Sequence, residues 1–451
     1  MQSRQAMERV KGKMKRSVLL AAAVVLAAGL AGCAAKGQEP DKGRQAEESQ
    51  ESLEEIVELM LWTYPIGNWA NSTNVASLLS SFHRSYPNIH ISVEFLDYHD
   101  GDQRVDEAIA SGQLPDLVFE GPERLVADWG SRGVMADLSE LWDTELAKEI
   151  YEPVQAACKH ANGEYYIFPI CMGTHCMAIN YGLFREAGAL KYIDEETHTW
   201  STEDFIHAVK ALTSYGQERV GAVYCGGQGG DQGTRALVNN LYSGTFTDDE
   251  HTRYTANSRE NIRALKLLYD LEGICFEPDM VGSDEIAQFA SGQLAMAFCW
   301  NVSMELNQIV MNPELDIEIF PMAFPTDDGQ PNLQGGIWGM GIFDYGDEKK
   351  VQAAKTFIRF ITENEAQYTK AVQASGYWPV RDVEHIYEND ILMNEYSVFI
   401  QYMGDYYQIT PGWAKTRTAW WQMLQEIGRG GEVEAAVSQF VSKANEAAKQ
   451  N

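Results

Sequence analysis

The residues able to do chemistry are unevenly spread. Beyond Cys33 the chain has six cysteines, at positions 158, 171, 176, 225, 275 and 299, and the closest grouping with a histidine is Cys171-Met-Gly-Thr-His175-Cys176. Two thiols and one imidazole at that spacing match no common zinc ligand set, so no metal is expected. Several cysteines sit in apolar runs, such as Cys299 in Ala-Met-Ala-Phe-Cys-Trp. They read as buried free thiols, with disulfides the alternative for an exported chain. No G-x-S-x-G, H-E-x-x-H or S-x-x-K occurs, so the usual nucleophile and metalloprotease patterns are missing. Glycoside hydrolysis needs only two facing carboxylates, and 65 acids bring some together by chance. The loop Gly226-Gly227-Gln228-Gly229-Gly230-Asp231 allows close backbone approach to a ligand or a flexible turn, but matches neither the P-loop nor G-x-G-x-x-G. No cofactor is expected.

The N-terminal stretch reads as an export signal. Lys11, Lys13, Lys15 and Arg16 precede an apolar run from Val18 to Leu30, and Leu30-Ala31-Gly32-Cys33 follows without a gap. The run is shorter than the roughly 20 residues that span a bilayer, and its order is that of a secretory signal, with Met14 an alternative start. The ending resembles the lipobox of bacterial lipoproteins. That resemblance implies cleavage before Cys33 and a lipid (palmitate among its chains) on the thiol, which holds the protein to the cell membrane, facing the exterior or periplasm. An uncleaved anchor is the alternative. Residues 34–55 are polar and charged with no apolar period, as in a disordered tether.

The net charge is −30, and the residues before Cys33 carry six Lys or Arg against one acid, so the rest lies near −35. Such a surface repels nucleic acid and anionic lipid. It favours neutral or cationic ligands, although a local arginine can overrule it. About 418 residues remain after Cys33, enough for two domains.

Order is expected from Glu58. Glu58 to Thr63 forms a strand, Asn74 to Tyr86 a helix with Val75, Leu78, Leu79 and Phe82 on one face, and Ile89 to Phe95 a second strand. Gln103 to Ser111 is helical with Gly112 as its cap, Pro115 to Glu120 is a third strand, and Pro122 opens another helix. Alternation of this kind predicts a parallel sheet with crossover helices. Further on, Ser201 and Asp204 start a helix, and Val220 to Cys225, Ile317 to Met322 and Gly336 to Phe343 read as strands. Helices are expected at Ile262–Leu271, Val351–Ile361, Trp420–Ile427 and Val433–Lys449.

The first strand ending in Trp62-Thr63, the segment Phe82-His-Arg-Ser-Tyr-Pro-Asn-Ile and Ser111-Gly-Gln-Leu-Pro-Asp-Leu-Val-Phe resemble the extracellular solute-binding proteins of ABC transporters. The closer likeness is to the branch carrying sugars, maltodextrins and glycerol phosphate. Gly133 to Leu138, Tyr165 to Pro169 with Met177 to Tyr181, Thr199 to Phe205 and Phe289 to Met296 follow in the same order, so the likeness runs from about residue 58 to 445. It implies an α/β, two-lobe, type II periplasmic-binding-protein-like fold, each lobe a mainly parallel sheet flanked by helices. The expected first lobe is 56–165 with 302–345, and the second 166–301 with 346–451.

The resemblance places ligand in the cleft between lobes, and ligands of open α/β sheets lie beyond the strands' carboxyl ends. That nominates Tyr64, Asn68 and Trp69 after the first strand, and Glu120 and Glu123 after the third. Gln228 in the glycine loop, then Arg235 and Asn239, follow the strand ending at Cys225, and Trp300 and Asn301 a later strand. Gly335, Gly336 and Trp338, then Tyr377, Trp378 and Arg381, and finally Trp413 and Arg417 complete the set. Flat aromatics for the C–H face of a sugar ring, with amides, carboxylates and guanidiniums for its hydroxyls, suit a carbohydrate, a mono- or an oligosaccharide. Tyr377 and Arg417 also fall where glycerol-3-phosphate binders hold their ligand, so a polyol phosphate is the alternative. Trp420-Trp421 read as core. The implied role is capture by lobe closure, in a monomer, and delivery to a membrane permease driven by a separate ATPase, with no enzymatic step. A surface enzyme or an adhesin is the remaining alternative.

Overall fold

Along β1 (Val57–Thr63) buried and more exposed residues alternate, and the strand lies parallel between β2 (Ile89–Phe95) and β3 (Leu117–Glu120). The computed structural model describes residues 55–97, 100–226, 231–312 and 317–449; Cys33, the signal and Gln228 lie outside them. The helix joining β1 to β2 spans Ser72–Ser85, starting earlier than its apolar period because the Asn71 side chain accepts a hydrogen bond from the Thr73 N–H. Gly112, at φ 68°, ends helix Gly101–Ser111, and the Ser201 hydroxyl caps helix Thr202–Tyr215.

Parallel pairing stops at β3. β4 (Phe168–Thr174) leads directly into β5 (Cys176–Asn180), which belongs to another sheet. β6 (Gly221–Tyr224) and β7 (Ile274–Glu277) pair in parallel; β8 (Met296–Trp300) and β9 (Ile319–Met322) flank β5, both antiparallel to it. The chain then returns as β10 (Gly335–Ile342), antiparallel between β3 and β4, and β11 (Trp378–Pro379) adds at the edge of β4. The first sheet therefore has the order β11-β4-β10-β3-β1-β2 and is mixed. The expected mainly parallel sheet fails here because β10 arrives from the second lobe, not through a crossover helix within its own lobe.

The expected lobe boundaries move for the same reason. Residues 319–322 pair with β5, in the second lobe. Helices Glu348–Glu363 and Glu365–Ser375 pack against β1, β10 and β4, in the first. Helices Trp413–Gly428 and Val433–Ala448 pack against each other and against β7 or the helix before it, in the second. Five of the six described cysteines are buried free thiols, and Cys275 is a half-buried one.

Glu285, on helix Gly282–Ala290, is fully buried and accepts the Phe298 N–H at 2.6 Å and the Cys299 N–H at 3.3 Å. Burial pushes its carboxyl up to about 8. The folded state thus holds this proton more tightly than the unfolded chain. The associated stability is fully present below about pH 4.5 and is lost as pH rises toward 8, each pKa unit being about 1.4 kcal/mol. Glu285→Gln is expected to flatten the fall in stability across that window, partly, since buried Glu120 shifts the same way. Urea melts from pH 4.5 to 8 test this; an unchanged slope refutes it.

Candidate ligand cleft

β4 passes into β5, and β10 begins, at one crossing between the lobes. The His175 N–H donates to the Gln334 carbonyl at 2.7 Å there, and Gly335 lies opposite Thr174. A cleft of about 660 Å³ opens over this crossing, with walls from both lobes. Its floor includes His175, Gly335, Gly336 and Gln408, whose amide donates to the Gly335 carbonyl at 3.0 Å.

One wall is aromatic. Trp338 and Tyr377 stack with centroids 4.5 Å apart and planes at 22°. Glycines make the room. A Cβ on Gly336 would lie 1.9 Å from the Trp338 ring, and one on Gly67 or Gly173 2.6 Å from the Tyr377 ring. Ile170 is an extra residue in β4 opposite the Trp338–Gly339 step, and such a bulge beside a site re-aims the neighbouring side chains. Gly376, at φ 72°, ends helix Glu365–Ser375 and turns the chain into Tyr377.

The polar groups form two ion clusters, one on each lobe. In the first, Glu120 ends β3, and the next turn brings Arg124 back to it at 2.8 Å. Arg124 also makes two bonds to Asp102, at 2.8 and 3.1 Å, and lies over the Tyr64 ring. Burial pushes the Glu120 carboxyl up, and the Arg124 guanidinium beside it pulls it back toward the ionised form. Among the described residues its second oxygen has no hydrogen-bond partner. Glu123 beside it accepts from the Tyr406 hydroxyl at 2.7 Å.

In the second cluster Asp231 binds Arg417 through both oxygens, at 2.7 and 3.1 Å, and also pairs with Arg235. Burial alone would raise its pKa, but the two guanidiniums hold this carboxyl well below the usual range. Arg235 is held in turn by the Tyr407 hydroxyl at 3.3 Å and the Trp413 ring at 4.8 Å. His175 meets the Gln232 amide at 3.0 Å, and burial pushes its imidazole down to about 4, so it is neutral near pH 7.

Of the nominated residues, the structure brings Glu120, Arg235, Asn301, Gly336, Trp338, Tyr377 and Arg417 to the cleft, with Glu123 and Gly335. Asn301 also caps helix Val302–Met311. Others stand apart from it. Tyr64 supports Asp102 from behind, donating at 2.7 Å. Asn68 is exposed and packs by Gly376. Trp69 and Trp300 are fully buried, one stacked on Phe119 and the other donating to the Tyr396 hydroxyl, because each ring fills a core beside its loop. Trp378 is buried in β11, Arg381 lies over Tyr368, and Trp413 backs Arg235. Asn239 is not in the wall, and Gln228 lies outside the described residues. Arg124, His175, Gln232 and Gln408 are in the wall without having been nominated. Arg124 adjoins Glu123 in a turn already singled out, and His175 had been weighed only as a metal ligand.

The profile of bacterial extracellular solute-binding proteins matches residues 46–368. A comparison with curated proteins finds no match. Among solved structures, the chain is similar to the cyclic alpha-maltosyl-1,6-maltose binding protein of Arthrobacter globiformis, at 18% identity and TM-score 0.71, over 88% of this chain and 100% of that one. It is similar to an ABC substrate-binding protein of Listeria monocytogenes in complex with cycloalternan, at 19% and 0.68, over 87% and 99%. The sugar-binding protein MalE of Xanthomonas citri matches at 15% and 0.68, over 87% and 98%. These likenesses show the two-lobe fold.

Gly336→Ala is expected to push the Trp338 ring off Tyr377 while leaving β10 paired, because the clash is with the far edge of a side chain. Near-ultraviolet circular dichroism in the tryptophan region will change, and the far-ultraviolet spectrum will not. An unchanged aromatic signal refutes it.

Proposed function

The chain belongs to the bacterial extracellular solute-binding proteins, and we propose that it captures a carbohydrate outside the membrane and hands it to the permease of an ABC importer. The observation that carries the carbohydrate is the stacked Trp338–Tyr377 pair on the cleft wall. An aromatic face accepts the C–H face of a sugar, and the adjoining Glu120, Gln232 and Asn301 offer hydroxyl partners. Solved relatives of the same fold are named for sugars and a polyol: cycloalternan, maltose, tagatose and ribitol.

The state of the arginines favours a neutral ligand over a phosphate. Arg417, the residue the polyol-phosphate reading relies on, is engaged by Asp231 at two points, and Arg124 by Glu120 and Asp102. A phosphate would meet those carboxylates as well as the guanidiniums. Capture needs no covalent step: contacts from both lobes favour the closed state. Lipid on Cys33 completes this reading by keeping the loaded protein near its permease.

Thermal-shift assays of the chain from residue 34 onward test it, since a ligand of the folded state raises Tm. A neutral sugar is expected to raise Tm, and Trp338→Ala to weaken its binding about 10- to 100-fold, or about 1.4–2.8 kcal/mol. A shift with glycerol 3-phosphate alone, abolished by Arg417→Ala, makes the polyol-phosphate reading correct instead.

A further inference from the structure

The two edges of the first sheet are built differently. β11 closes one edge with two residues, one of them a proline, which blunts it against further pairing. β2 forms the other with seven residues, Ile89-His-Ile-Ser-Val-Glu-Phe95, and has no proline, lysine or glycine. Among the described residues no strand lies beyond it. The bonds to β1 fix which of its backbone groups face outward. The Val57 N–H donates to the Asn88 carbonyl at 2.8 Å, and the Leu96 N–H to the Thr63 carbonyl at 2.9 Å. Alternation between these two bonds turns the backbone groups of His90, Ser92 and Glu94 toward β1, and those of Ile91, Val93 and Phe95 toward the open edge.

The strand is also complementary to itself. When it is turned about Ser92 and laid antiparallel on a second copy, His90 falls opposite Glu94, Ile91 opposite Val93 and Ile89 opposite Phe95. A base meets an acid, and apolar side chains meet apolar ones. In this register Ser92 faces its counterpart as a non-hydrogen-bonded pair. Ile91 and Val93 of the two copies then exchange both N–H···O bonds, using the groups that face outward. A shift by one residue would set outward groups against inward ones. Phe95 is exposed and shares a sheet face with Ile89 and Ile91. Opposite Ile89 it reaches the groove of about 290 Å³ that Leu79, Phe82, Ile89 and Ile91 line.

We propose that this edge pairs with a second copy of the chain, so that β2 of each molecule joins their first sheets into one, about a two-fold axis at Ser92. A dimer then replaces the monomer that the family resemblance implies. β1 and β3 separate β2 from β10 and β4, whose crossing floors the cleft, so the proposal is independent of what the cleft binds.

Sedimentation equilibrium of the chain from residue 34 onward, up to about 1 mM, tests this. The mass is expected to rise to twice that of one chain. Val93→Pro removes an outward N–H and leaves the ladder to β1 intact, so it is expected to weaken association about tenfold or more with an unchanged far-ultraviolet spectrum. The register is read separately by cysteines. Two Cα atoms about 4.5 Å apart at the axis fall within disulfide reach, so Ser92→Cys is expected to cross-link two chains on mild oxidation. Phe95→Cys, whose two copies would stand about 20 Å apart, is expected not to. A one-chain mass over the whole range, a dimer that Val93→Pro leaves equally tight, or cross-linking by Phe95→Cys as fast as by Ser92→Cys overturns the proposal. Each of these outcomes leaves the carbohydrate reading standing.

Discussion

Two backbones cross between the lobes so tightly that no side chain fits between them. A Cβ on Gly335 would stand 2.0 Å from the Gly173 carbonyl, and one on Gly339 2.2 Å from that of Phe168. The close approach fixes β10 against β4, and with it the place of everything that grows from either strand. Trp338 rises from β10, Tyr377 lies over Gly173, and His175 follows β4 directly. Replacing either glycine would force the strands apart, and the cleft floor is made of those strands. At this crossing the two strands are held together by residues with no side chain.

Charge in the cleft is organised around the same crossing. Each lobe presents a carboxylate already committed to arginine: Glu120 and Asp102 to Arg124 on one side, Asp231 to Arg235 and Arg417 on the other. Glu120, Asp231 and Arg235 are buried, where an uncompensated charge is costly, while Asp102 at the edge of the first cluster is 47% exposed. The protein as a whole carries −30, yet the arginines and carboxylates along the cleft nearly balance. Net charge therefore says little about what the cleft accepts, and pairing within it says more.

Much of the architecture was legible because local rules and tertiary packing agree. Ile89–Phe95 is a strand over the predicted range, and the Ser201 cap and the Gly112 stop fall where their side-chain chemistry requires. The direction of β10 was not legible. Gly335 to Ile342 reads as a strand either way, and only the chain's excursion through the second lobe makes it antiparallel. The tryptophans mislead for a related reason. Trp69 and Trp338 both adjoin glycine-bearing segments, and nothing local separates the ring that stacks in the core from the ring that faces the cleft. Gln408 and Arg124 reach the wall through folds of the chain, so their roles depend on a partner 73 residues away in one case and on a buried carboxyl group in the other.

The interleaved sheet order also sets a sequence in time. The first lobe's sheet takes strands from residue 57 to residue 379, while β5 to β9 lie nested within that span. As the chain emerges from its N-terminus, β1, β2 and β3 can associate early, but the slot beside β3 stays empty until β10 arrives. The second lobe's three-stranded sheet is complete by residue 322, before that slot is filled. The unfilled edge of β3 is a row of unpaired backbone groups, the feature that most invites wrong pairing. The cost of joining the lobes by strands that belong to both is a long interval in which one half of the protein waits on the other.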